Sequence, residues 1–430
     1  MTPPQDPTGH DHTPRHVVFV TWKTGNAPAF EAARRLGHHV TLIRSLAMER
    51  SQNIDFTASP YARHVDDVHQ LDDATDTDAL RRLVLGIHAE RPVDGFVATV
   101  DALVVPVARI AEEIGVPFTD ARAAEAAKQK DRCRQILAAA GLDNTRHAVV
   151  DGAREAAAFA ATTGYPVVVK PARGSGSEGA HVVADEQQLR TVLDRAAGHR
   201  AYAAGILIEE HLRGRFVSAE LGLAHGRFLR LAVSERATWH RHEALETGTT
   251  IPAGIGAEEH DRVMDFAEAV AGALGLGLGV FHIELMLGAD GTPRLIEVNP
   301  RLMGSCLPNL FRLAGGGDIF ELLVRIHLNE EIEPTAPAFT HYATVRWFGA
   351  ADATPKPAGP PDLGWAAEYG ESLHALTVRF PDGDVLPACR GNLGNFGEVQ
   401  VVHSDRETSI RIAEEIVGRT AGQLGIEVTR

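Results

Sequence analysis

After a polar opening stretch, the chain turns apolar in a short unbroken run, HVVFVT at residues 16–21, which predicts a buried strand. A small-residue turn at Gly25 and Asn26 leads into a helical pattern over 29–36, stopped by Gly37, and HVTLI at 39–43 predicts a second strand. The rhythm recurs as a helix over 76–89, a strand over 95–99 and a helix over 103–114. Strand–helix–strand alternation implies right-handed crossovers and a parallel sheet. Residues 16–120 are therefore expected to form a doubly wound α/β unit. They contain no GxGxxG, so no dinucleotide fingerprint is read there.

Further along, residues 121–140 predict a helical stretch ended by Gly141, and 165–189 predict strand, glycine loop, strand. Residues 205–233 predict two more strands, with a helix after Ile255, and 279–300 predict a hairpin. Proline-containing stretches at 333–337 and 355–364 set off a small α/β segment over 340–430 that ends in a helix at 406–424. No internal repeat of fixed period is present.

A length of 430 residues exceeds one ordinary core and implies two or three packed domains. A formal net charge of -15 disfavours nucleic acid and anionic membrane surfaces as partners. Any bound phosphate must then meet locally placed cations or backbone N–H groups. The three cysteines, Cys133, Cys306 and Cys389, are too far apart for a paired metal or redox motif, and the expected compartment is the cytoplasm. Residues 1–15 lack an apolar signal region and are expected to be a disordered lead-in, with His10 and His12 in a solvated tail.

Three segments carry candidate chemistry. In YPVVVKPARGSGSEGAHVV, 165–183, a strand delivers Lys170 to a loop of Gly174, Gly176 and Gly179, with Ser175 and Ser177 between them. Such a loop can aim several N–H groups at one anion beside a lysine charge, although a glycine-rich hairpin with a snorkelling lysine accounts for the same residues. In GVFHIELMLGADGTPRLIEVNPR, 279–301, a turn at 288–293 sets Glu284 across from Glu297 and His282 across from Asn299, all four on one face. The other face is expected to carry Phe281, Ile283, Leu285, Ile296 and Val298. Two facing carboxylates repel unless a cation lies between them, and two carboxylates with one amide oxygen suit Mg²⁺ shared with phosphates. Arg301 follows, where its fork can hold a phosphate or carboxylate. In ILIEEHLRGRFVSAEL, 206–221, a strand ends at Glu209, Glu210, His211 and Leu212, a weaker signal that an exposed acidic turn also explains.

Taken in this order, over roughly residues 16–330, the segments resemble the ATP-grasp superfamily. Lys130, opening KDRCRQILAAAGL, matches its first phosphate-contacting lysine and Lys170 its second. Glu209 to Leu212 match the adenine hinge and ribose contact, and Glu220 a further acidic position of the nucleotide pocket. Glu284, Glu297 and Asn299 match the magnesium ligands, and Arg301 the arginine that steadies the acyl phosphate. The resemblance implies ATP and Mg²⁺, with Mn²⁺ as a substitute. It also implies an α/β (α+β) architecture: an N-terminal domain at 16–120, a central lid region at 121–204 carrying the glycine loop, a larger antiparallel-sheet ATP and metal domain at 205–335, and a C-terminal appendage at 336–430.

Within that superfamily the chain looks most like the carboxylate–amine ligases related to L-amino acid ligases. The segment ALETGTTIPAG, 244–254, places Glu246 where those ligases meet a substrate amino group. Where they often carry a histidine three residues later, this chain has Thr249. The Trp239-His240-Arg241-His242-Glu243 cluster just upstream is a second candidate lining, with a partly solvated loop as the other reading, and Gly304, Ser305 and Cys306 either leave room for a substrate chain or form a plain loop. His282 stays open between sheet histidine, metal-side ligand and substrate contact. The implied function is an ADP-forming ligase joining a carboxylate and an amine, amino acids for both, as a homodimer. The alternatives are an ATP-grasp carboxylase of the purine or biotin type and a non-catalytic ATP-binding module.

Overall fold

The computed structural model describes residues 13–52, 54–174, 178–240, 244–391 and 394–430. Among them, four parallel strands, His16–Val20, His39–Ser45, Asp67–Leu71 and Gly95–Ala98, lie in the spatial order third, second, first, fourth. Val17, Val18, Phe19 and Val20 are all buried, because helices cover both faces of the sheet, as the doubly wound expectation requires. The chain reverses its direction of winding between His16–Val20 and Gly95–Ala98. That reversal opens a crevice at their carboxyl ends, where the helix Asp101–Ile114 begins.

The glycine-loop region forms a separate antiparallel sheet, in the order His147–Val150, Ile206–Glu210, Val167–Pro171, His181–Val183. The largest sheet is also antiparallel. It runs Pro293–Asn299, Gly279–Leu287, Arg215–Ala224, Arg227–His240, Ala244–Ile251, Tyr342–Phe348, Gly397–His403, Leu373–Val378. On one face Val217, Ala219 and Leu221 pack with Phe281, Ile283 and Leu285 against the helix Ala257–Leu274. That helix presents Val263, Ala267, Val270 and Leu274 as one apolar stripe, and Gly275, at φ +78°, terminates it. Period-2 alternation leaves Ser218, Glu220, His282 and Glu284 to the opposite face.

Four local expectations are refined or corrected. The stretch 121–140 is two helices, Ala121–Lys128 and Lys130–Ala139, broken at Gln129 (φ −97°, ψ 95°). Residues 205–233 hold Ile206–Glu210, Arg215–Ala224 and the start of Arg227–His240, because His225 and Gly226, both at positive φ, make a tight two-residue hairpin. The register of the 279–299 hairpin shifts between Glu284 and Leu285, so Leu295, not Ile296, joins the core. The C-terminal segment is no detached unit, since its strands extend the large sheet edgewise. Gly248 permits that junction: a Cβ there would stand 2.4 Å from the Val345 carbonyl oxygen. Among the described residues no helix is long and apolar enough to cross a membrane.

Candidate active site

The site face of the large sheet meets the carboxyl ends of the N-terminal strands and the glycine-loop sheet. Glu284 pairs with Glu297, and His282 with Asn299, across the hairpin. The cations that answer these groups come from the broken helix. Lys128 Nζ lies 2.9 Å from Asn299 Oδ1, 3.4 Å from Glu297 Oε1 and 2.7 Å from Asp101 Oδ1. Lys130 Nζ lies 3.4 Å from Glu297 Oε1 and donates to the Gly174 carbonyl at 3.1 Å, which ties it to the start of the glycine loop. Arg301 donates from Nε to Asp101 Oδ2 at 2.7 Å. Burial opposes the charge on Asp101, but Arg301 and Lys128 outweigh it and hold the carboxyl well below its usual range. Burial likewise opposes the Lys128 ammonium, and Glu297 and Asp101 raise it nonetheless.

Beneath Glu284 lies a buried polar row. His282 is 3% exposed; its Nδ1 donates to Glu220 Oε1 at 2.6 Å, and its Nε2 lies 3.2 Å from Glu284 Oε1 and 2.7 Å from Arg236 Nη2. Burial pulls the imidazole down, but the Glu220 charge and the bonds to Glu220 and Glu284 push it up to about 9. Burial raises the Glu284 carboxyl, yet the bond from His282 and the Arg236 charge bring it down to about 2. Glu220 is fully buried, receives a bond from Ser218 Oγ at 3.0 Å and keeps its Oε2 without a partner. It therefore stands under His282 rather than at the open surface. Arg236 donates to Glu246 from Nη1, and Thr249 Oγ1 donates to Glu246 Oε1 at 2.8 Å. In this chain a threonine hydroxyl thus orients the glutamate.

Lys170, next to last in the strand Val167–Pro171, lies 2.6 Å from Glu209 Oε2, and Arg134 Nε donates to Glu209 Oε1 at 2.9 Å. Burial opposes ionisation of Glu209, but Lys170 and Arg134 bring its carboxyl down to about 2. Burial pulls the Lys170 ammonium down. Glu210 is bonded by Arg294 and, at 3.2 Å, by Arg146; His211 is half-buried and Leu212 buried. Gly304 and the exposed Ser305, at φ +55°, follow Arg301 on the open side. Ser175, Gly176 and Ser177 lie outside the described residues, as do Arg241, His242 and Glu243.

Four residues of this arrangement carried no sequence expectation: Asp101, Lys128, Arg134 and Arg236. Arg134 was legible in principle, because it is an arginine on the buried stripe of its helix, beside Cys133 and Leu137. The others are recruited by contacts far along the chain. Among the described residues no three His, Cys, Asp or Glu side chains converge into a metal cage. The hard donors at the hairpin are two carboxylates and one amide oxygen.

Two family profiles match: one described as the ATP-grasp N-terminal domain over residues 30–118, the other as the ATP-grasp domain over 163–309. The chain is 30% identical over 229 residues to a D-alanine–D-alanine ligase of Stutzerimonas stutzeri, covering 51% of this chain and 70% of that one. It is 29% identical over 327 residues to carnosine synthase 1 of Gallus gallus, covering 72% and 34%. It spans between about a third and about half of the length of several curated relatives. In fold it is similar to the L-amino acid ligase from Bacillus licheniformis, with a TM-score of 0.76 at 20% identity, covering 94% of this chain and 97% of that one.

Proposed function

The chain belongs to the ATP-grasp family, and on that footing we propose that it is an ADP-forming carboxylate–amine ligase that makes an amide or dipeptide bond through an acyl phosphate. The observation that carries this reading is the rung at which Glu284 faces Glu297, with Asn299 on the same face and Arg301 just beyond. The residues fit a divalent ion. Lys128, 2.9 Å from Asn299 Oδ1 and 3.4 Å from Glu297 Oε1, marks the place as one that stabilises positive charge. Glu284, Glu297 and Asn299 would hold Mg²⁺ and leave further positions to phosphate oxygens and water. Bound there, it supplies neutralisation of phosphate charge; Mn²⁺ is a candidate substitute.

Lys130, which donates to the Gly174 carbonyl, and Lys170, in the strand that leads into the glycine loop, would clamp the phosphates. Glu209 to Leu212 form the strand end against which the purine and ribose would lie. A carboxylate repels nucleophiles; phosphorylation turns one of its oxygens into a leaving group. Arg301, held by Asp101, would stabilise the oxyanion that develops when the amine attacks. Glu246, oriented by Arg236 and Thr249, would receive a substrate ammonium. His282 is a positioning residue, because its ring is buried between Glu220 and Glu284. We place the enzyme in the cytoplasm, as a homodimer acting on amino acids.

The test is ATP consumption with Mg²⁺ across a matrix of carboxylates and amines, with nucleotide and product identified by mass spectrometry. The expected result is ADP release that needs both partners, with a product one water lighter than their sum. ADP release with bicarbonate alone would move the protein to the carboxylases, and AMP release would overturn the acyl-phosphate route.

A further inference from the structure

The site face of the large sheet does not end at Glu246 and Thr249. Register carries it across the C-terminal strands: Arg236 stands opposite Thr249, Thr249 opposite Val345, Val345 opposite Gln400, and Trp347 opposite Glu398. Directly paired residues share a face. Glu398 and Gln400 therefore look out on the same side as Arg236. Adjacent strands are about 4.8 Å apart, so Gln400 lies roughly 10 Å from Thr249. Glu246, bonded by Thr249, and Glu398, bonded by Gln400, stand at the two ends of that row, a separation comparable to an extended amino-acid side chain.

The far end of this row is built of acceptors. Glu398 receives the Trp347 indole N–H at 2.8 Å and the Gln400 amide at 2.6 Å. Both donors are neutral, so they orient the carboxylate without cancelling its charge. Gln400 is 7% exposed, and its Oε1 is buried without a partner. A buried carbonyl left unbonded costs free energy that a donor would recover. Cys306 packs against the same apolar cluster as Trp347, which also contains Val345 of this row. Burial first, then the nearby Glu398 charge and the more weakly felt Glu246 charge, push its thiol well up.

We propose that Glu398 and the Gln400 carbonyl form a subsite for a cationic hydrogen-bond donor, so that one of the two organic substrates is a basic amino acid whose side chain runs past Cys306 to the C-terminal strands. The location of the reacting end rests on the ligase reading; the acceptor pair itself does not. Lysine or arginine matches the subsite in length, charge and donor number. The C-terminal segment would then set specificity, as the wall that tells a basic side chain from a neutral one.

The test is calorimetric binding of L-lysine, L-arginine and L-norleucine, which lacks only the terminal amine of lysine, to the full-length protein with ADP and Mg²⁺. Amide formation is measured in parallel with the same amino acids. A preference of at least tenfold for a basic amino acid over norleucine is expected, and Glu398→Gln should erase it with the unfolding midpoint unchanged. Gln400→Leu should reduce the preference in the same direction. Equal affinity for all three, or a preference that survives Glu398→Gln, would overturn the subsite. A basic preference in binding without amide formation in any combination would keep the subsite and overturn the ligase reading. Amide formation with neutral amino acids and no basic preference would do the reverse.

Discussion

Two clusters of paired carboxylates and cations lie at the junction of the sheets, one buried around Glu209 and one half-buried around Glu284 and Glu297, and they are built on different terms. Around Glu209 the charges are answered chiefly by the Arg134 fork, with Lys170 on the second carboxylate oxygen. Arg134 bonds Glu209, reaches Asp143 at 3.3 Å and donates to the Leu295 carbonyl at 2.5 Å, while Asp143 accepts from the Leu295 N–H at 2.7 Å. These contacts knit the helix Lys130–Ala139, the strand Ile206–Glu210 and the edge strand Pro293–Asn299 into one buttress. Around Glu284 and Glu297 the answering cations are Lys128 and Lys130, flexible side chains that flank a break between two helices. Ammonium groups there can yield to another cation, whereas the Arg134 fork has nowhere to go. On the proposed reading, the Arg134 contacts of the first cluster hold the architecture, and the second cluster is left adaptable for chemistry.

The largest expected effect tests the buttress. Arg134→Met removes one partner of a buried, hydrogen-bonded pair, and such losses cost about 3–5 kcal/mol. Urea unfolding should register that drop. A loss below about 1 kcal/mol would mean that Lys170 alone satisfies Glu209 and that the two clusters are alike.

The Glu209 carboxyl gives the same contrast a pH dependence. Its folded value of about 2 lies below the ordinary 4.5. The stabilisation is thus complete above the ordinary value and is lost as pH falls through the folded one, about 3 kcal/mol in all. Between pH 6 and pH 3 the protein should lose about 2 kcal/mol that Glu209→Gln does not lose. Parallel pH profiles for the two proteins would show that Glu209 is not held ionised by its neighbours.

The chemical cluster should respond in the opposite currency. Glu297→Gln removes a proposed metal ligand and the repulsion facing Glu284, and with them the carboxylate partner of Lys128 and Lys130, so the opposing effects should leave its unfolding midpoint little changed. Its turnover should fall by more than roughly 100-fold, since even outer-shell partners of a metal site cost 10- to 100-fold. Retained activity would remove the metal from the hairpin, and a large stability loss would make this cluster a second buttress.

The sequence was most legible where one segment carries its own constraint. The hairpin needs only a turn and period-2 alternation to set Glu284 opposite Glu297, and both lie within one short stretch. The bulge that admits Leu295 to the core had no such signal, because no Gly or Pro marks residues 294–297. The break at Gln129 was hidden for the same reason, in a run rich in good helix formers. Asp101 and Arg236 were illegible on different grounds. Their partners, Arg301 and His282, are 200 and 46 residues away, and only the assembled sheets bring them together. The C-terminal strands read as a separate segment because strand partners across a long connection leave no local trace.

The smallest expected effect sharpens the boundary of the adaptable region. Glu246 is held on one side by Arg236, which is itself buried among Ser218, His282 and Glu284, and on the other by a single hydroxyl bond from Thr249 at 2.8 Å. Thr249→Val deletes that bond and keeps the shape. A net hydrogen bond is worth about 1 kcal/mol, or about fivefold in an equilibrium constant. If Glu246 receives the substrate ammonium, the KM for the amine should rise by about that factor, with kcat nearly constant. The KM for ATP should not move, because the proposed phosphate clamps Lys130 and Lys170 bond elsewhere. A change in the KM for ATP instead would place Glu246 with the nucleotide. No change in either would leave Arg236 as its sufficient anchor, and the Arg236 guanidinium would then belong with Arg134 among the fixed cations.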